Sequence, residues 1–233
     1  MRKNIVVLSG AGISAESGIK TFRDAGGLWE GHSIEDVATF DAWERNPTVV
    51  LDFYNQRRKQ LLNVEPNRAH YLLAELENYH EVQIITQNVD DLHERAGSTK
   101  VMHLHGELLK VRSTSHAHLV YPWTKDLSLG DLCDRQCQLR PHIVWFGEEV
   151  PLMDFAANFC SMAEMLIIIG TSLLVYPAAG LMHYTRPSCF IVYIDKDPKQ
   201  EIQSLNRKEI KLYSLTASLG LATFLEDYQL LKD

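Results

Sequence analysis

The sequence predicts an α/β fold: a mainly parallel sheet covered by helices on both faces, with a smaller part built from two insertions. Two observations carry this. Four short apolar runs rich in β-branched residues recur along the chain, at residues 5–8, 81–86, 165–169 and 189–194. Strands buried on both faces read as continuous apolar runs rather than as alternating ones, because helices cover both sides of the sheet. The second observation is that the runs are separated by long stretches with helical periodicity, the connection that parallel strands require.

Each run ends in small or polar residues. The first, Ile5-Val6-Val7-Leu8, leads into Ser9-Gly10-Ala11-Gly12-Ile13-Ser14, a glycine turn followed by a helix start. This is the opening of a nucleotide-binding βα unit, in which glycines let the backbone approach a pyrophosphate and free N–H groups point at the anion. The third glycine of the usual fingerprint is missing, so the turn alone leaves a plain strand-to-helix connection open. The second run leads to Gln87-Asn88-Val89-Asp90, the third to Gly170-Thr171-Ser172 and the fourth to Asp195-Lys196-Asp197. Ligands of open α/β sheets bind outside the carboxyl ends of the strands, so these ends are the candidate site.

Between the first and second runs, residues 34–62 and 69–79 have helical periodicity, parted by the turn Glu65-Pro66-Asn67, and predict a helical module. A second insertion, 113–141, is polar and irregular and contains Pro122, Gly130, Cys133 and Cys137. No repeat or low-complexity segment interrupts the chain.

With 45% hydrophobic and 23% charged residues, the 233-residue chain has the balance of an ordinary globular protein. A net charge of -7 and the lack of a Lys/Arg run argue against nucleic acid as a partner. The first apolar run is too short for a secretory signal, and no run approaches the roughly 18 residues of a membrane span. The four cysteines (Cys133, Cys137, Cys160, Cys189) form no secreted-type disulfide framework. The expectation is a cytoplasmic protein with no membrane partner.

The stretch Gly10-Ala11-Gly12-Ile13-Ser14-Ala15-Glu16-Ser17-Gly18-Ile19, followed by Thr21-Phe22-Arg23-Asp24 and Gly27-Leu28-Trp29, resembles the sirtuins. The resemblance continues through Thr86-Gln87-Asn88-Val89-Asp90-Asp91-Leu92-His93 and His103-Leu104-His105-Gly106. It extends to Arg140-Pro141-His142-Ile143-Val144-Trp145-Phe146-Gly147-Glu148, and to Gly170-Thr171-Ser172 with Val175-Tyr176-Pro177-Ala178. These motifs fall in family order over most of the chain. They imply one catalytic domain over 1–233, with a Rossmann-like large part at about 1–30, 80–112 and 142–233. The small part is expected at about 31–79 and 113–141.

The resemblance implies NAD as co-substrate. Gly10, Ala11, Gly12, Ile13, Ala15, Glu16, Phe22, Arg23 and Trp29 would hold its pyrophosphate and ribose, with Gln87, Asn88, Val89 and Asp90 around nicotinamide and ribose. Gly170, Thr171 and Ser172 would take the adenosine side. Asp195 stands where the family usually has Asn, and it or Asp197 could accept a ribose hydroxyl, with Lys196 and Ala217 beside the adenosine.

The spacing of His103 and His105 by itself is open to a metal pair or to two core histidines. The resemblance singles out the histidine before glycine, His105, as the catalytic base, with Asn88 as its catalytic companion. A histidine titrates near neutrality and can take a proton from a sugar hydroxyl. The implied reaction moves the acyl group of a protein lysine onto ADP-ribose, releasing nicotinamide and the free amine. Ile143, Val144, Trp145, Phe146 and Gly147 resemble the segment that clasps the acyl-lysine, whose peptide pairs as an added strand. The alternative is a core strand rich in aromatics. A mono-ADP-ribosyltransferase and a non-catalytic NAD-sensing module are the rival functions.

Tyr54 and Arg57, at i and i+3, share one helical face. In this position the pair resembles the sirtuin subgroup that removes acidic acyl groups, with Ala38 as the small residue that widens the pocket. Each charge-assisted hydrogen bond contributes roughly 1.5–3 kcal/mol, so succinyl or malonyl is expected over acetyl by roughly one to three orders of magnitude. The alternative makes Arg57 and Arg58 a solvated helix face. Most sirtuins also hold zinc with two Cys-x-x-Cys pairs. Here Ser113 and His116 take the places of the first pair, and the second is Cys133-x3-Cys137. Two thiolates with His116 and His118 would be a chemically acceptable set, but the drifted spacing favours loss of the metal.

Overall fold

A computed structural model describes residues 2–20, 32–198, 202, 205 and 210–232. Six parallel strands form the main sheet, in the order β3 (Val101–His103), β2 (Glu81–Thr86), β1 (Asn4–Ser9), β7 (Met165–Ile169), β8 (Phe190–Ile194) and β9 (Ile210–Tyr213). The chain winds outward from β1 in one direction, then returns and winds outward from β7 in the other. β1 pairs with both β2 and β7, with Ser9 level with Thr86 and Ile169. The carboxyl ends of the three central strands therefore open together at the topological switch point, where such sheets bind ligands.

Alternate residues of the strands feed two cores. Ile5, Val7, Ile84, Ile167 and Ile169 pack with α4 (Arg68–Leu76) and α7 (Ala217–Asp227). Val6, Leu8, Ile85, Leu166 and Ile168 pack on the other face, with α6 (Met153–Met162) and the 3-10 helix Ala178–Tyr184. The four apolar runs are β1, β2, β7 and β8. β3 and β9 were not expected: they are edge strands of three and four residues, only partly buried, and leave no continuous apolar run.

The periodic stretch 34–62 is three helices rather than one: α1 (Ile34–Val37), α2 (Phe40–Arg45) and α3 (Pro47–Leu62). Thr39 and Asn46 divide them by accepting the Ala42 and Val49 N–H groups, as N-caps do, and Pro47 opens α3. The helix expected after the glycine turn is instead two 3-10 turns, Ala11–Ile13 and Ala15–Ser17, closed by Gly18 at φ 92.

Asn67, the cap of α4, ties this turn to two other segments. Its Nδ2 donates to Ile13 O at 2.7 Å and Ser17 Oγ at 3.0 Å, while its Oδ1 accepts from Ala69 N and Ser218 Oγ.

The second insertion carries an antiparallel sheet, β5 (Val120–Pro122), β4 (Gly106–Ser113) and β6 (Leu139–Ile143), reaching beyond 113–141 on both sides. Arg58, on α3 and 1% exposed, joins it to the helical module. Its Nε donates to Leu108 O at 3.1 Å and its Nη1 to Asn55 Oδ1 at 2.8 Å; Asn55 in turn bonds the backbone of Leu127 in both directions.

Candidate active site

The turns that follow β1 and β7 touch. Gly12 N–H donates to Gly170 O at 2.7 Å and Gly10 N–H to Ile169 O at 3.1 Å. A Cβ on Gly12 would stand 2.8 Å from Gly170 Cα, closer than real Cβ atoms come, and Gly170 itself has φ 61. These glycines are thus required by contact between two turns of the protein, beyond any approach to an anion.

Ile13 is wholly buried in the core. Glu16 turns toward α7, accepting Ser218 N–H at 2.8 Å. Burial opposes its charge, but the Ser218 and Thr216 donors hold its carboxyl below the usual range. Ile13 is thus engaged in the core and Glu16 at the surface of α7. Ala15 is partly buried in the second 3-10 turn. Phe22, Arg23 and Trp29 lie outside the described residues.

A polar floor lies under this turn. Ser14 Oγ donates to Asp90 Oδ2 at 2.9 Å and accepts from Asn88 Nδ2 at 3.1 Å. Thr86 Oγ1 accepts from Asn88 N and Ser9 Oγ, and Gln87 Nε2 donates to Thr171 Oγ1 at 3.0 Å. Burial raises the Asp90 carboxyl above its ordinary pKa, although Ser14 Oγ and Leu92 N donate to it. Ala11, Ser14, Arg57, Gln87, Asn88 and Asp90 line one cleft, as does Val89. Sequence reasoning left Ser14 without a role, although it sits inside the glycine motif.

His105 Nδ1 lies 3.1 Å from Gln87 O. A carbonyl only accepts, so Nδ1 carries the proton and Nε2 keeps its lone pair. Burial lowers its pKa, with the Gln87 bond opposing, so the ring is neutral near pH 7 and fit to act as a base. The His105 carbonyl accepts Val144 N–H at 3.0 Å, which ties the histidine to residues 144–147.

Ala38, Tyr54, Ile143 and Trp145 share one apolar cluster. The core-strand alternative ends at Ile143, where β6 stops; beyond it Trp145 is 2% exposed and Phe146 49%. Phe146 N–H donates to Ala38 O at 2.9 Å, and Gly147 follows at φ 88.

Arg57 and Arg58 are both buried, so the solvated-face alternative does not hold. Tyr54 differs from its expected geometry: Trp145 Nε1–H donates to its phenol oxygen at 3.0 Å. Burial pushes the Tyr54 phenol well up, with Trp145 and the Arg57 charge opposing. Arg57 therefore faces the cleft, while Tyr54 stands behind it.

On the remaining side, Thr171 is buried, its carbonyl accepting from Tyr193 Oη at 2.9 Å, and Ser172 is partly buried. Asp195 Oδ1 accepts Asp197 N–H at 2.9 Å, Lys196 is exposed, and Ala217 begins α7.

The second insertion does not fit a structural zinc. Ser113 Oγ accepts from Cys133 Sγ–H at 3.3 Å and from the N–H groups of Ser115 and His116. Cys137 Sγ approaches Arg135 O, and the His116 and His118 rings stand 6.1 Å apart. Among the described residues no three His, Cys, Asp or Glu side chains gather. Serine is a poor zinc ligand, and the interior is apolar, with Leu51, Val111, Leu127 and Leu139 around Cys133. No helix among the described residues is long and apolar enough to cross a membrane.

A switch-point cleft with a buried histidine beside it is the arrangement of the nucleotide-binding α/β proteins. Residues 10–177 match the model of the Sir2 family. An NAD-dependent protein deacylase of Helicobacter pylori is 61% identical over 213 residues, covering 89% of this chain and 91% of its own. One from Bacteroides thetaiotaomicron is 54% identical over 202 residues, covering 84% and 86%. A solved Sir2 homologue in complex with NAD aligns with TM-score 0.86 at 37% identity, over 98% of this chain and 90% of that one. A Sir2 protein bound to an acetylated peptide aligns with TM-score 0.81 at 30% identity, over 97% and 93%. The chain belongs to the Sir2 family.

Proposed function

We propose that the protein is an NAD-dependent protein-lysine deacylase that favours acidic acyl groups, succinyl or malonyl, over acetyl. The observation that carries the acyl preference is the position of Arg57, 7% exposed yet lining the same cleft as Asn88 and Asp90. A carboxylate on the acyl chain would meet a guanidinium there with little competing water, where charge-assisted bonds are strongest.

When bound, NAD supplies an electrophilic ribose carbon with nicotinamide as leaving group. His105 Nε2 takes the proton of a ribose hydroxyl, which its neutral tautomer allows. The Asn88 amide is held by Ser14, so it meets the nicotinamide side in one orientation. The glycine turns at 10–12 and 170–172 offer backbone to the phosphates and adenosine. Ala38 and residues 143–147 receive the acyl-lysine of a protein substrate.

Turnover of succinyl- and acetyl-lysine peptides with NAD tests this for the wild type, Arg57→Met and His105→Tyr. The expected result is a succinyl preference that collapses in Arg57→Met, and loss of all turnover in His105→Tyr. A preference for acetyl, or an unchanged ratio in Arg57→Met, would overturn the acyl reading. Transfer of labelled ADP-ribose to protein without deacylation would overturn the deacylase reading.

A further inference from the structure

Glu148 follows the acyl-lysine segment and has no role in the account so far. Its carboxylate receives Arg140 Nη1 at 2.7 Å and Nη2 at 2.8 Å, Arg112 Nη2 at 3.2 Å to each oxygen, and Trp145 N–H at 2.8 Å. Arg140 Nη2 also donates to Ile143 O at 3.0 Å, and its guanidinium carbon lies 3.4 Å from the centre of the Trp145 ring. Glu148 thus fixes the Trp145 backbone directly and its ring face through Arg140. Burial opposes the Glu148 charge, but Arg140, the Trp145 N–H and Arg112 hold its carboxyl below the ordinary range.

The far edge of the same indole donates to Tyr54 Oη. A phenol oxygen that accepts on one side has its own proton left to donate on another, so the indole sets the direction in which Tyr54 donates. We propose that Glu148 is a positioning residue for the acyl pocket: it fixes Trp145, and Trp145 holds the Tyr54 phenol in place behind Arg57. The selectivity part of this rests on the acidic-acyl reading above; the positioning part does not.

Glu148→Gln keeps the side-chain size and an acceptor for Trp145 N–H but removes the charge that the two arginines share. Glu148→Asp keeps the charge and shortens the reach, and serves where the amide variant fails to fold. Trp145→Phe keeps an aromatic ring for Arg140 and removes the donor to Tyr54; it also identifies the Trp145 indole N–H resonance by its loss from the nitrogen-15 spectrum.

The expected result is a displaced Trp145 indole resonance in the Glu148 variant. Its peptide KM rises roughly tenfold for either acyl group, a loss of about 1.4 kcal/mol. Its kcat and its KM for NAD stay within about twofold of the parent. Trp145→Phe lowers the succinyl-to-acetyl ratio of kcat/KM. A folded Glu148 variant with indole resonance and peptide KM unchanged overturns the proposal, as does a parental ratio in Trp145→Phe when Arg57→Met collapses it. If Arg57→Met leaves the ratio alone, the acidic-acyl reading fails by itself, and the resonance and KM still decide the role of Glu148.

Discussion

His105 and His103 donate from Nδ1 to the adjacent carbonyls of Gln87 and Asn88, at 3.1 and 3.0 Å, yet their pKa values are displaced in opposite directions. The difference lies at the other nitrogen. Glu94 Oε1 stands 2.7 Å from His103 Nε2 and favours the doubly protonated ring; His105 has burial and one carbonyl, which favour the neutral one. For His103 burial also works against the charge, but the Glu94 hydrogen bond and field outweigh it and raise the pKa. One histidine is paired with a carboxylate, and its neighbour is not.

The two rings should therefore titrate on opposite sides of the ordinary value of 6.5. Proton NMR of wild type, His103→Gln and His105→Gln assigns them. With His105 as the proposed base, kcat/KM should fall only as pH drops through its lowered pKa, below 6.5. An acid limb centred above 6.5 would place the base elsewhere. His105→Gln should lose at least ~100-fold in turnover, the scale of general-base catalysis, while keeping its fold.

The Glu94–His103 pair sets a window of stability. His103 has a raised pKa, so its contribution is full below 6.5 and is lost as pH rises through the folded value. Glu94 has a lowered pKa: burial opposes its charge, but the His103 hydrogen bond and charge prevail. Its contribution is full above 4.5 and is lost as pH falls through the folded value. Together they act fully between 4.5 and 6.5. The Glu94 side chain is 40% exposed, so solvent screens the pair and its effect is at most about 1 kcal/mol. Denaturant melts should show His103→Gln costing more at about pH 5.5 than at about pH 9; equal costs would show the pair to be inert.

Gly12→Ala should lower stability by ~1–3 kcal/mol, the range for forcing a methyl group into close packing. It should also raise KM for NAD, because the methyl would part the two turns proposed to carry the nucleotide. Thermal melts and NAD titration check the two effects separately. An alanine variant with parental KM would show that the contact is structural only.

Chelation should change nothing. Ser113 stands 3.3 Å from Cys133 where a second thiolate would be needed, and serine is a poor zinc ligand. Dialysis against EDTA should leave melting temperature and turnover where they were, and elemental analysis should find zinc far below one per chain. A melting point that drops on chelation and returns with zinc would refute the serine–thiol arrangement.

The inner strands were legible because residues buried on both faces write continuous apolar runs. β3 and β9 were not, since an edge strand buries less and can be short. The polar strand ends were legible as candidate positions, but the partners that define them were not. His103 and His105 share a spacing, and the residue that separates their charges, Glu94, belongs to another element, α5 (Leu92–Arg95). The helical spacing of Tyr54 and Arg57 was readable, while the donor that engages Tyr54 lies 91 positions away. Glu148 stood in plain view within a motif, with no local signal for what it holds.

Asn67 and Glu16 both reach Ser218, across 151 and 202 positions. The ribosome makes Glu16, beside the glycine turn, 202 residues before Ser218, its anchor on α7. While the chain is still growing, Asn67, Asp90 and Gly170 can hold the turn, but the core face that α7 covers stays open. The glycine turn is therefore held on both sides only once α7 has been made.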